Sequence, residues 1–194
     1  SNQWVPSPEI TQFFLGLRKR PYPRPEVAGK TPHGRLCYLY TYHSYFTNTL
    51  PSDPGEFREM VSRALAHGLF TTPYTDTTFF PELHGDYLMN PEMRTFPGAR
   101  GTSYGPVNTI DCCHRGPFGD WFVWYVKHLC HEYGVNGIYL DDMSPYGCSN
   151  PAHGCGYVGP DGKRRVTYPL RARMETCRRL REMLAATGKP FWIT

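Results

Sequence analysis

The sequence predicts an α/β chain built from parallel strand–helix units. Short β-rich runs alternate with segments of helical hydrophobic period, long loops follow the strands, and short loops follow the helices. A doubly wound open sheet is the competing architecture, but no Gly-x-Gly-x-x-Gly follows any of the strands. A TIM-type (β/α) barrel with parallel strands is therefore favoured. A complete eightfold barrel takes about 250 residues. The 194 residues here supply four or five strands, so the expectation is a partial or truncated barrel.

Residues 1–34 hold TQFFLGLRKR and then PYPRPEVAGKTPHG, whose prolines forbid helix. This piece reads as an extended lead-in or linker ahead of a partial barrel domain over 35–194. RLCYLYTY (35–42) is the first strand, bounded by Gly34 and a polar loop. Asp53 then offers an N-cap, Pro54 a first helical residue and Glu56 an acidic first turn. Phe57, Val61, Ala64 and Leu65 keep helical spacing up to Gly68.

LFTTPYT (69–75) is the next strand, weakened by Pro73. A Pro/Gly-rich loop runs from about 77 to 106, and VNTID (107–111) reads as a short strand. Gly116-Pro117 opens a helix over 117–133 with the stripe Phe118, Trp121, Phe122, Tyr125, Leu129 and Tyr133, capped by Gly134. GIYLDD (137–142) is a strand, and a loop over 143–169 follows it. The spacing of Leu170, Met174, Cys177, Leu180 or Arg181, and Leu184 predicts a helix over 170–187, after which PFWIT (190–194) begins another strand.

Composition narrows the function classes. A net charge of +4 is mild, and the basic clusters Arg18-Lys19-Arg20 and Lys163-Arg164-Arg165 come with no nucleic-acid motif, so no nucleic-acid partner is expected. No membrane span or secretory signal is visible, and no membrane partner is expected. Aromatic residues at 15% suit a sugar-binding surface and an ordinary core equally well.

Chemistry in such a barrel sits at the C-terminal ends of strands, and Asp141 and Asp142 are there. Alternation puts Tyr139 and Asp141 on one face, with Ile138, Leu140 and Asp142 on the other. Where the strand frays, both carboxylates can still turn toward one pocket. Two close carboxylates repel when ionised, so one tends to keep its proton to higher pH. That supplies the acid and the charge stabiliser of glycoside hydrolysis. The competing reading is an aspartate capping its loop, with its neighbour solvated. The long loop that follows favours function.

Other polar residues at strand ends are Tyr40, Tyr42, His43, Asp76, Asp111 and His114. Of these Tyr40, His43 and His114, together with Tyr139, Tyr146 and Trp192, are the expected substrate contacts, with His114 preferred among the strand-end residues and Trp192 placed either to stack on a sugar face or merely to fill the barrel.

Seven cysteines are present. Cys37, Cys130 and Cys177 sit in apolar periodic stretches and read as small buried hydrophobes. Cys148, His153 and Cys155 offer three soft ligands to zinc, with His114, Cys112 or Cys113 as a fourth, though the spacing is not a Cys-x-x-Cys pattern. A Cys148–Cys155 disulfide and reduced cysteines packing a loop core stand beside that reading. No cofactor is assigned.

The run GVNGIYLDDMSPYGCSNPAHGCGYVGPDGKRRVTYPLRARMETCRRLREML, with GIYLDD, the Asn-Pro-x-His-Gly-Cys-Gly-Tyr loop (150–157) and Thr-Tyr-Pro (167–169) before an Arg-rich helix, resembles a bacterial barrel family. That family is similar to glycoside hydrolase family 123, the β-N-acetylgalactosaminidases. FFLGLRKRPYPRP is similar to the family's lead-in between a β-sandwich and the barrel. The resemblance implies a carbohydrate substrate and an extracytoplasmic (periplasmic or secreted) location. It also implies substrate-assisted, retaining hydrolysis of an N-acetylhexosaminide, with Asp141 orienting the 2-acetamido group and Asp142 as general acid/base. Family 123 has Asp-Glu where this chain has Asp-Asp. A non-catalytic carbohydrate-binding barrel and a metal-dependent enzyme using the Cys/His loop are the alternative readings.

Overall fold

The computed structural model describes residues 36–39, 50–51, 53–66, 68–82, 89–96, 102–104, 107–144 and 146–193. Four parallel strands form the main sheet: β1 (Leu36–Leu39), β2 (Phe70–Asp76), β6 (Gly137–Asp141) and β9 (Trp192–Ile193), hydrogen-bonded in that order. Each successive parallel strand is added on the same side of the last. A doubly wound sheet would instead reverse its order at a switch point.

Helix α1 (Pro54–Ala66) connects β1 to β2, α2 (Pro117–Tyr133) leads into β6, and α3 (Leu170–Ala185) connects β6 to β9. The caps follow the local chemistry. Asp53 Oδ1 accepts the Glu56 N–H at 2.9 Å at the start of α1. Gly134, at φ 75°, closes α2 by donating its N–H to the Cys130 carbonyl.

The helices bury one face of the sheet. Phe57, Met60, Val61 and Ala64 of α1 meet Phe118, Phe122, Tyr125, Val126 and Leu129 of α2, with Leu180 of α3 and Ile138 of β6 in the same core. Pro73, expected to weaken its strand, is fully inside β2. Among the described residues it pairs with Leu39 of β1, and pairing with β6 runs from Tyr74 to Asp76.

Three expectations are corrected. VNTID is a strand, β5 (Val107–Asp111), but it lies between β3 (Phe79–Pro81) and β4 (Thr102–Tyr104) in a separate antiparallel sheet. The stretch read as a loop over 77–106 therefore contains two strands, and a 3₁₀ turn at Pro91–Met93 as well. The reversal begins where Asp76 Oδ1 accepts the N–H groups of Thr78 and Phe79 at 2.7 and 2.8 Å, a side-chain turn that ends the parallel strand. Phe80 then packs its ring on Phe118 and Trp121 of α2, at 6.1 and 4.4 Å between centroids.

The loop over 143–169 likewise holds a 3₁₀ turn (Pro151–His153) and a small hairpin of β7 (Tyr157–Val158) with β8 (Arg164–Arg165). Third, α3 buries Arg173, Thr176, Leu180 and Leu184, while Leu170 and Met174 are exposed. The helix turns polar residues inward over its first half because Arg173 and Thr176 find buried oxygen and nitrogen partners there.

No helix among the described residues is long and apolar enough to cross a membrane.

Candidate active site

The C-terminal ends of β2 and β6 lie side by side. Their register sets Tyr74 opposite Tyr139 and Asp76 opposite Asp141, so alternation points these four side chains to one side of the sheet. Tyr74 and Tyr139 have ring centroids 5.5 Å apart. The Tyr74 hydroxyl donates to Asp141 Oδ2 at 2.6 Å, and the Asp142 N–H donates to Asp141 Oδ1 at 2.8 Å.

Asp142 follows the strand at φ 57°, in the left-handed region that a non-glycine residue seldom adopts. This sharp turn is what replaces the expected sixth strand residue. It carries the Asp142 side chain to Tyr146, whose hydroxyl donates to Oδ2 at 2.7 Å. The backbone of the turn is held from β2: Thr77 donates its N–H to the Asp141 carbonyl at 3.1 Å, and its hydroxyl reaches the carbonyls of Asp141 and Asp142 at 3.0 and 2.9 Å.

Asp76 is 2% exposed. Burial pushes its carboxyl up to about 7 against the pull of its two backbone N–H donors, and the charges of Asp142 and Asp141 push the same way. Asp111, at the end of β5, is also raised, by burial and then by Asp142. Burial and the Asp142 carboxylate raise the Tyr146 hydroxyl as well. Four aspartates thus share one electrostatic neighbourhood.

Arg173 of α3 spans it. Its guanidinium donates to Thr78 Oγ1 at 2.7 Å, to the Thr77 and Asp142 carbonyls at 3.4 and 3.3 Å, and to the Ser144 carbonyl. Burial lowers its pKa, and the charges of Asp142 and Asp76 oppose that shift. The side chain ties the segment after β2 to the segment after β6.

Asp141, Asp142, Tyr139 and Tyr146 are thus brought together. His114 sits beneath them with both ring nitrogens committed. Nε2 lies 2.6 Å from the Thr77 carbonyl, which can only accept, so Nε2 carries the proton and Nδ1 accepts from the Thr176 hydroxyl at 3.0 Å. Burial lowers its pKa to about 4, which keeps the ring neutral. His114, Tyr146 and Arg173 border a small cleft with Thr95 and Leu170, and the two paired aspartates are not among its lining.

Trp192 is set apart from this group. It pairs with Gly137 at the opposite end of β6, about 13 Å along the strand from Asp141 at ~3.3 Å per residue. There its ring lies against Phe70, with centroids 6.2 Å apart. Tyr40 and His43 lie outside the described residues.

Asp76 stood in the sequence only as one strand-end candidate among several, and Tyr74 and Arg173 were not singled out at all. The Tyr-x-Asp spacing shared by Tyr74–Asp76 and Tyr139–Asp141 is the signal that links them.

The cysteines of the loop after β6 join one from the segment after β5. Cys113, Cys148, His153 and Cys155 are all buried, with their ligand atoms within 4.8 Å of one another. Cys112, its neighbour in sequence, packs in the main apolar core instead. Cys112, Cys113, Cys130, Cys148, Cys155 and Cys177 are all free of disulfides.

Neither a family model nor a curated protein matches the sequence. Solved structures do resemble the fold. α-L-Fucosidase isoenzyme 2 from Paenibacillus thiaminolyticus matches with a TM-score of 0.51 at 16% identity, over 82% of this chain and 26% of that one. A noncanonic maltogenic α-amylase from Thermotoga neapolitana matches at 0.49 and 14%, over 74% and 28% of the two chains. An α-galactosidase from Thermus thermophilus, in complex with stachyose, matches at 0.45 and 11%, over 71% and 27%. The likeness to part of the fucosidase is one of fold. The chain spans about a quarter of the length of the structures it resembles.

Proposed function

We propose that the protein is a glycosidase that acts on N-acetylhexosaminides with participation of the substrate's own acetamido group. The observation that carries this reading is the placement of Asp141 and Asp142 at the C-terminal end of β6, each carboxylate bonded by a tyrosine hydroxyl. The order β1-β2-β6-β9 supports reading these strands as a segment of a TIM-type barrel. The resemblance of the run around GIYLDD to a bacterial barrel family that is similar to glycoside hydrolase family 123 supports the substrate class.

In this account Asp141 accepts the N–H of the 2-acetamido group and turns its carbonyl oxygen onto the anomeric carbon. The bonds from Tyr74 and the Asp142 N–H leave acceptor capacity on a carboxylate, which offers about four lone-pair sites. In this reading Asp142 is the general acid that passes a proton to the departing glycosidic oxygen, through Oδ1, the oxygen away from Tyr146. It then takes a proton from the water that opens the cyclised sugar, and the configuration is retained. Asp76 and Arg173 fix the two segments on which the pair stands.

A sugar-binding barrel without turnover is the second reading, favoured by the absence of both aspartates from the cleft lining. A panel of chromogenic aryl glycosides separates the two. Turnover confined to 2-acetamido sugars, and lost in Asp142→Asn with sugar binding retained, supports the hydrolase. Sugar binding with no turnover across the panel supports the binding protein.

A further inference from the structure

We propose that Cys113, Cys148, His153 and Cys155 form a Cys₃His zinc site that fastens the loop after β6 to the segment after β5. This inference does not rest on the hydrolase reading. The four donors come from chain segments 35 residues apart at the nearest, Cys113 to Cys148, yet their ligand atoms lie within 4.8 Å of one another. Zinc–sulfur bonds of about 2.3 Å and zinc–nitrogen bonds of about 2.0 Å at tetrahedral angles put neighbouring donors about 3.5–3.8 Å apart. Cys148 Sγ and His153 Nδ1 are already 3.4 Å apart.

The outer partners orient the histidine as a ligand. His153 Nε2 faces the Glu92 carbonyl, which only accepts, so Nε2 carries the proton and Nδ1 presents its lone pair toward the sulfurs. Asn150 holds the same loop, donating to the carbonyls of Glu92 and Arg94 and accepting the Ala152 N–H. Cys148 is pinned by paired backbone bonds with Thr167 at 2.8 and 2.9 Å. Cys155 sits between Gly154 (φ 62°) and Gly156 (φ 75°), whose left-handed turns fold its thiol back on the loop. Gly116 leaves room for the imidazole, since a Cβ there would stand 2.5 Å from His153 Nε2.

Four protein donors, all buried, leave no coordination position for water or substrate, so the site is structural and not catalytic. That also argues against a metal-dependent hydrolase built on this loop.

The test uses the whole chain produced with zinc supplied and purified under reducing conditions without chelator. About one zinc per chain by elemental analysis is expected, and replacement by cobalt should give thiolate-to-cobalt charge-transfer bands and the intense visible bands of tetrahedral coordination. Cys155→Ser should lose the metal, whereas Cys112→Ser, whose thiol faces the apolar core, should keep it. If Cys155→Ser does not fold, zinc content and cobalt spectrum of the unsubstituted protein decide alone. Folded protein that takes up neither metal, a cobalt spectrum without thiolate bands, or a disulfide among Cys113, Cys148 and Cys155 would overturn the proposal.

Discussion

Asp76 stands opposite Asp141 in the register of β2 and β6, so two neighbouring parallel strands each end on a carboxylate facing the same side. Asp76 is the more deeply buried of the two. Its acidity is set mainly by burial and only secondarily by the charges of Asp142 and Asp141.

This burial links folding to pH. The Asp76 carboxyl is raised in the folded state from 3.8 to about 7. Between those values the folded chain holds a proton that the unfolded chain has lost. The contribution is therefore full below about pH 4 and is lost as pH rises toward 7. Asp76→Asn keeps an oxygen for the Thr78 and Phe79 N–H groups but does not titrate. The stability difference between the variant and the unsubstituted protein should shift in favour of the variant by about 2–4 kcal/mol from pH 4 to pH 7.5. Urea unfolding at several pH values measures it, and a difference independent of pH would contradict the assignment.

Tyr74 is 5% exposed and donates to a carboxylate. Tyr74→Phe should cost about 1.5–3 kcal/mol, the range for a hydrogen bond to a charged group. A lowered urea midpoint with an unchanged slope would show it.

Arg173→Met removes the guanidinium from the oxygens of Thr77, Thr78, Asp142 and Ser144 together. A loss of about 3 kcal/mol is expected, because those buried acceptors lose a charged donor. Arg173→Lys should recover only part of it, since an ammonium cannot span the fork. Thermal unfolding of both variants tests the order.

Gly116→Ala places a methyl against the His153 ring, 2.5 Å from Nε2, the atom that faces the Glu92 carbonyl. The ring must move, at a cost of about 1–3 kcal/mol. Gly162→Ala is a useful contrast: a Cβ there meets nothing within 4 Å, and only its φ of 73° opposes the substitution. Its smaller loss, about 1–2 kcal/mol, reflects backbone strain alone.

What the sequence revealed follows the range over which each signal acts. The ends of α2 were legible because Gly116-Pro117 and Gly134 act within a turn of the helix they bound. The carboxylate pair was legible because strand and loop meet at Asp141-Asp142. The antiparallel sheet was not, since β3, β4 and β5 are three to five residues each and pair across a Pro/Gly-rich stretch. α3 was read by its leucines, whereas Arg173 and Thr176 turn inward for partners distant in sequence. Cys113 was one of three possible fourth donors. Strand alternation separates it from Cys112, but only the fold shows which of the two meets Cys148, His153 and Cys155.

The most direct measurement compares Asp142→Asn with Asp141→Asn on 2-acetamido glycosides that differ only in the leaving group, one dinitrophenyl and one methyl. A dinitrophenolate needs no proton to depart, whereas a methoxide does. Asp142→Asn should therefore lose about 10²–10⁴-fold in kcat/KM on the methyl glycoside and far less on the dinitrophenyl one. Asp141→Asn should slow both alike, because the acetamido group must be oriented whatever leaves. Equal losses on both substrates in Asp142→Asn, or turnover by both variants at the rate of the unsubstituted protein, would contradict the assignment of Asp142 as the proton donor.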